Sequence, residues 1–182
     1  SQFGFPRNRN TQPAVALITD HIYLHFDKGC HTGAVFLDLS KAFDTVDHAF
    51  IINKLSSYGV GDSERKWFWS YLFGRKQSVE YGGVLSDHQI ITTDVHQGSI
   101  LGPILFDLLI NDLHLLLKDC KILLYADDTV LYYSNKDIST IQDKLNENLD
   151  ITSKWLKENY LTLNLKKGKT EGMVFSTKKK DP

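Results

Sequence analysis

Cysteine is scarce: Cys30 and Cys120 are the only two among 182 residues, far apart and without metal-ligand spacing. The chain is therefore not a disulfide-stapled scaffold, and a reducing intracellular compartment is the default expectation. No apolar run approaches the roughly 20 residues that span a bilayer. The longest, residues 100–117, is interrupted by Asp107, Asn111, Asp112 and His114. A signal-peptide pattern is also missing, so no membrane partner is expected. Net charge is only −1, which gives no whole-surface electrostatic footprint for nucleic acid. Positive charge is instead local, at Arg7 and Arg9 and again at Lys166, Lys167, Lys169 and Lys178-Lys179-Lys180. The last run reads as a solvated tail. His21, His25, His31, His48, His88, His96 and His114 have no HExxH or comparable spacing, which assigns none of them a metal. There is no internal repeat, low-complexity tract or interdomain linker.

What is present suits one well-packed globular domain: 42% hydrophobic and 24% charged residues in a chain of this length. Apolar spacing at Val15, Leu17, Ile18, Ile22 and Phe26 predicts a helix over residues 14–26. A loop over 29–33 and a buried strand over 34–39 follow. Helical spacing returns at Val46, Phe50, Ile51, Leu55 and Tyr58, with Gly59 as its C-terminal cap. A third helix, capped by Asp62 or Ser63, carries Trp67, Phe68, Tyr71 and Leu72. Gly82-Gly83 marks a hairpin between residues 77–81 and 84–93. One helix is expected over about 101–118, with Pro103 tolerated in its first turn. Another opens at Asp137 or Ser139. Alternation at Leu161, Leu163 and Leu165, then Met173 and Phe175, predicts a closing hairpin around 166–172. Helices mixed with antiparallel hairpins make the fold class α+β.

Tyr125-Ala126-Asp127-Asp128 lies between two apolar runs that read as strands, which puts two acids in a tight hairpin turn. Each acid raises the cost of ionising the other, and a hard divalent cation such as Mg²⁺ would remove that cost. An ordinary solvated Asp-rich turn has the same local pattern. Asp38 adds weight, because it ends the apolar segment Gly33-Ala34-Val35-Phe36-Leu37, where an unpaired acid is costly. If the two strands are neighbours, three carboxylates converge. Such a cluster can hold the ion pair used for in-line nucleotidyl transfer.

Three patches occur in order: residues 36–46 around Asp38, Gln97-Gly98-Ser99-Ile100-Leu101-Gly102-Pro103, and Tyr125-Ala126-Asp127-Asp128. Together they resemble the reverse transcriptase family, in particular its non-LTR retrotransposon type. Ile110-Asn111-Asp112-Leu113, Leu161-Thr162-Leu163-Asn164 and Lys169-Thr170-Glu171 extend the likeness, as do Phe3-Gly4-Phe5 and Asn10-Thr11. The resemblance covers nearly the whole chain. It implies an RNA-directed DNA polymerase, a nucleotidyltransferase, with a right-hand palm: an antiparallel sheet packed on helices, plus part of the fingers. Asp38 and Asp127 would hold two Mg²⁺ ions, with Mn²⁺ as a substitute, Asp128 assisting and the Leu39 carbonyl adding a ligand. Phe43 would exclude a 2′-hydroxyl at the incoming sugar; its alternative is core packing. Gln97 and Gly98 would pack on the template and incoming base, with Tyr125 also at the nucleotide. Lys169 would protonate pyrophosphate; a solvated basic hairpin is its alternative. The implied partners are an RNA or DNA template with its primer and deoxynucleoside triphosphates.

The sequence departs from the family pattern in two places. Phe5-Pro6-Arg7 stands where relatives commonly have Arg directly after Phe. Asp94-Val95-His96 stands where they commonly have Gly-Val-Pro. Residues 1–182 are expected to be one reverse transcriptase domain and a piece of something longer, with the thumb and upstream fingers strands outside it. Two further readings are a catalytically inactive nucleic-acid-binding remnant and a group II intron maturase-type palm. An active element would work in the cytoplasm and nucleus.

Overall fold

The computed structural model describes residues 11–40, 42–95 and 99–177. The elements run, in chain order, α1 (Thr11–Phe26), β1 (His31–Leu37), α2 (His48–Ser57), α3 (Asp62–Leu72), β2 (Lys76–Gln77), β3 (Glu80–Tyr81), β4 (Val84–Leu85) and β5 (Gln89–Ile90). They continue with α4 (Leu101–Ile110), α5 (Leu113–Leu116), β6 (Lys121–Tyr125), β7 (Asp128–Asn135), α6 (Ile138–Glu158) and β8 (Glu171–Phe175). The chain forms two compact units, one from residues 1–40 with 110–182 and one from residues 41–109.

The first unit is built on a four-stranded antiparallel sheet in the order β6-β7-β1-β8. Alternation along the strands gives it two apolar faces. On one face Ala34, Leu123 and Tyr132 pack with Ala14 of α1, joined by Ile18, Tyr125, Val130 and Phe175. The opposite face takes α6, which buries Ile141, Leu145, Thr152, Trp155 and Leu156 on one stripe. Asp137 caps α6 by accepting from the amides of Ser139 and Thr140, as the sequence predicts. The Ser139 and Thr140 hydroxyls, donating to the same carboxylate, and then these amides hold its carboxyl down at about 2.

Gly33 is part of β1 and not of the expected loop. A Cβ at this position would sit 2.4 Å from Ile141 Cγ2 and 2.8 Å from Leu145 Cδ1. The glycine thus serves close helix–sheet approach, not a turn. The expected closing hairpin does not form either. Strand β8 pairs with β1, from Thr32–Phe175 to Phe36–Glu171, while Leu163 makes an isolated antiparallel bridge to Leu39. Alternation identified extended chain there, but partner choice was decided by the non-local edge of β1.

In the second unit, α2 buries His48, Ile51, Ile52 and Leu55, and α4 buries Leu105, Phe106 and Leu109. Lys54 Nζ and Tyr58 Oη donate to the Leu109 and Leu108 carbonyls, serving groups left open at the α4 end. Gly59, just past α2, has φ +80, in keeping with its predicted capping place. The start of α3 differs from expectation. Gly61 is the cap residue, without a side-chain bond, and Asp62 is the first helical residue. Gly82 and Gly83 both have positive φ and turn the short β3–β4 hairpin. The single helix expected over 101–118 breaks into α4 and α5 at Asn111-Asp112. Both residues compete for local backbone bonds, and the Asn111 carbonyl is engaged by His114 Nδ1.

Candidate active site

The β6–β7 hairpin closes on a two-residue turn, Ala126-Asp127, with Tyr125 paired to Asp128. Asp127 is therefore in the turn, while Asp128 is the first residue of β7 and not a turn residue as expected. Ala126 has φ 54 and is the turn's only positive-φ residue. That is the pattern of a II′ turn, whose first position ordinarily takes glycine. For alanine it costs about 1 kcal/mol, and it fixes how the next carboxylate leaves the strand.

Asp38 reaches the same end of the sheet from β1. The register that pairs Leu37 with Thr129 on the neighbouring strand brings Asp38 level with Asp128. On its other edge, Asp38 lies beside residues 162–164. The Asp38 carbonyl accepts from Asn164 N at 2.8 Å, and Ser40 N donates to the Thr162 carbonyl at 2.8 Å. Consecutive residues of an antiparallel strand address opposite edges. The Leu39–Leu163 bridge therefore leaves the Leu39 carbonyl out of these bonds and on the edge facing the hairpin.

Electrostatics bind the group together. The pKa of Asp128 is raised, first by burial of its carboxylate, then by the negative charges of Asp127 and Asp38; Lys169 acts in the opposite direction. Asp128 is exposed as a residue, yet it forms part of the wall of a cavity of about 200 Å³ beneath it, which desolvates one side. Three of the expected site residues, Asp38, Asp127 and Lys169, thus act on the fourth, Asp128. Among the described residues no three His, Cys, Asp or Glu side chains close into a ready cage for an ion. The fit to a divalent cation rests on chemistry: hard oxygen donors carrying like charges that raise each other's cost of ionisation.

The remaining expected residues fall elsewhere. Tyr125 is half-buried and lines the same cavity with Phe36, Leu123 and Val130, against Ala14, Val15 and Ile18 of α1. Phe43, in the second unit, is half-buried with its ring 4.7 Å from that of Phe106, and its carbonyl accepts from Val95 N. Gln97 and Gly98 lie outside the described residues. Two residues with no role read from sequence meet Asp38: Asn164, whose Nδ2 donates to Oδ2 at 2.6 Å, and Thr170, whose Oγ1 is 3.5 Å from its amide. No sequence signal marked Asn164, which occupies a polar position of the Leu161-Leu163-Leu165 alternation.

Known proteins resemble this chain. Residues 1–178 match the family described as reverse transcriptase (RNA-dependent DNA polymerase). The probable RNA-directed DNA polymerase from transposon BS of Drosophila melanogaster is 33% identical over 179 residues, covering 91% of this chain and 19% of that protein. The RNA-directed DNA polymerase from mobile element jockey of Drosophila funebris is 29% identical, covering 99% of this chain and 20% of that protein. The chain thus spans about a fifth of the length of these relatives. Among solved structures, telomerase from Candida albicans superposes with a TM-score of 0.65 at 15% identity, over 95% of this chain and 31% of that one, a likeness of fold. The α+β palm expected from the sequence stands with that superposition, and the non-LTR retrotransposon type with those relatives. The chain belongs to the reverse transcriptase family.

Proposed function

We propose that residues 1–182 are the palm and part of the fingers of an RNA-directed DNA polymerase that adds deoxynucleotides to a primer 3′-hydroxyl. The observation that carries this reading is the arrival of Asp38 and of the Asp127-Asp128 pair at one end of adjacent antiparallel strands, in a chain of this family. Asp38 and Asp127, with the Leu39 carbonyl, would hold two Mg²⁺ ions, and Asp128 would keep the site anionic. When bound, the cations supply the charge that favours loss of the primer hydroxyl proton and stabilises the departing pyrophosphate. Lys169 brings a mobile ammonium to the same group and gives a proton to pyrophosphate. By the family likeness, Phe43 would exclude a 2′-hydroxyl at the incoming sugar, and Gln97, Gly98 and Tyr125 would be nucleotide contacts. Template–primer and deoxynucleoside triphosphates are the partners, and the work is done inside the cell, in cytoplasm and nucleus.

Primer extension tests this reading in the longer protein that carries this chain. Mg²⁺-dependent extension should fall at least about a hundredfold in Asp127→Asn, the scale of losing a group that acts in the transition state. Phe43→Val should admit more ribonucleotide. Extension by Asp127→Asn equal to the parent would refute the proposal. The 182 residues alone should extend little, because positioning and phosphate contacts supply much of rate and affinity and the net charge here is −1. A second reading, a remnant that no longer polymerises, is favoured by Asp94. It holds φ 102 where the family commonly has glycine.

A further inference from the structure

Asp38 is gripped by one residue through both backbone and side chain. Asn164 N donates to the Asp38 carbonyl at 2.8 Å, and Asn164 Nδ2 donates to Asp38 Oδ2 at 2.6 Å. Chemistry fixes the orientation of the carboxamide, because its Oδ1 accepts from Lys166 N at 3.3 Å and so cannot be the atom facing Asp38. The Asn164 backbone is itself held, its carbonyl accepting from Thr170 Oγ1 at 2.9 Å. Asp38 and Asn164 are 126 positions apart in the chain, so this is a tertiary arrangement and not a local turn.

We infer that Asn164 is the positioning residue of Asp38. Its amide occupies Oδ2, selects one rotamer of the carboxylate and leaves Oδ1 to face the cation. The inference rests on the reading of Asp38, Asp127 and Asp128 as a divalent-cation site. The like charge of Asp128 stands level with Asp38, and without a cation it pushes a freely rotating carboxylate away. A lysine or arginine in place of Asn164 would resist that push but would also neutralise the site and compete with the ion. A neutral amide orients the carboxylate and leaves its charge intact. Charge-assisted bonds of this length are strong enough to hold a rotamer, and such outer partners commonly change metal affinity about 10- to 100-fold.

The test is Mn²⁺ binding to the 182-residue chain, read from the free-ion electron paramagnetic resonance signal, beside melting in EDTA. Asn164→Ala should weaken Mn²⁺ about tenfold while metal-free melting moves by only a few degrees. Thr170→Val, which keeps the amide, should lower melting but change affinity less than about twofold. Asp127→Asn should weaken binding strongly. If Asp127→Asn binds as the parent does, the cation-site reading fails and takes this inference with it. Should Asp127→Asn weaken binding while Asn164→Ala does not, only the positioning role is overturned. Lower melting of Asn164→Ala at unchanged affinity overturns that role equally. The parent protein supplies a measurement that needs no altered fold. In ¹H–¹⁵N spectra one Nδ2 proton of Asn164 should resonate downfield, exchange slowly and shift when Mg²⁺ is added. Two equivalent, fast-exchanging protons would overturn the inference.

Discussion

Among the described residues three non-glycines, Ala126, Asp94 and Tyr160, have positive φ, and the contrast between the first two separates the two units. Ala126, at φ 54, sits in the hairpin turn of the sheet unit, and its conformation delivers Asp127 next to Asp128, the residue level with Asp38. Asp94, at φ 102, sits in the other unit, its carbonyl accepting from His48 Nε2 at 2.8 Å and its amide donating to the Val46 carbonyl at 3.2 Å. Among the described residues its Oδ1 is buried without a hydrogen-bond partner. Strain at Ala126 is coupled to the placing of a reactive group. Strain at Asp94 places no group the proposed chemistry uses, and it falls where the family pattern has glycine. The first reads as retained for function and the second as acquired.

Reverting the acquired residue should produce the largest effect. Asp94→Gly removes both the strained φ and an unpaired buried oxygen, against the extra chain freedom of glycine, for a net stabilisation of about 1.5 kcal/mol. In a chain of this size that raises the melting temperature by about 3–6 °C. A lower melting temperature would erase the contrast.

Acid should act on the sheet unit next in size. The His21 pKa is lowered to about 4 by burial first, then by Lys121, His25 and Lys28. Lys121 Nζ lies 3.2 Å from its Nδ1 and can donate only to a neutral ring, whose Nε2 then donates to Ser134 Oγ. Unfolded chain binds this proton near pH 6.5 and folded chain only near pH 4, so stability is complete above 6.5 and falls as pH drops through that window. With the ring half-exposed the loss is about 1 kcal/mol. After correction for slower intrinsic exchange at acid pH, amide protection should fall at α1 and β7 over that range, and His21→Gln should flatten the response.

Smaller still is the effect of Asp128→Asn without metal. The Asp128 pKa is raised by burial, Asp127 and Asp38. Its ionised form therefore weakens the folded state above the folded pKa, and removing that charge should stabilise metal-free protein by less than about 1 kcal/mol at neutral pH. Added Mg²⁺ should then stabilise the parent more than the variant in thermal melts. The least effect is expected from Ala126→Gly, a change of about a few tenths of a kcal/mol, because relief of φ strain and gain of chain freedom nearly cancel. A gain above about 1 kcal/mol would mean that the turn is as ill-fitted as Asp94.

Much of this was legible in sequence where the cause is local. Tyr125-Ala126-Asp127-Asp128 between β-rich runs, Asp137 before a helical stripe and Gly82-Gly83 between strands each specify their structure within a few residues. Less legible were features set by distant partners. Gly33 looks like a loop residue until α6 is laid across β1, and Leu161–Leu165 alternates like a hairpin arm although Leu39, just past β1, provides its neighbour. The three acids could be named from their positions at strand ends. Asn164 could not, because its role depends on a contact with Asp38 across 126 positions.

That Asp38, Asp127 and Asp128 make one cation site is tested most directly by a paramagnetic map. Substoichiometric Mn²⁺ added to the isotope-labelled chain should broaden the amide signals of residues 37–40 and 126–129 together, and Mg²⁺ should reverse the broadening. Broadening confined to one of these stretches, or centred on other acids, would contradict a shared site.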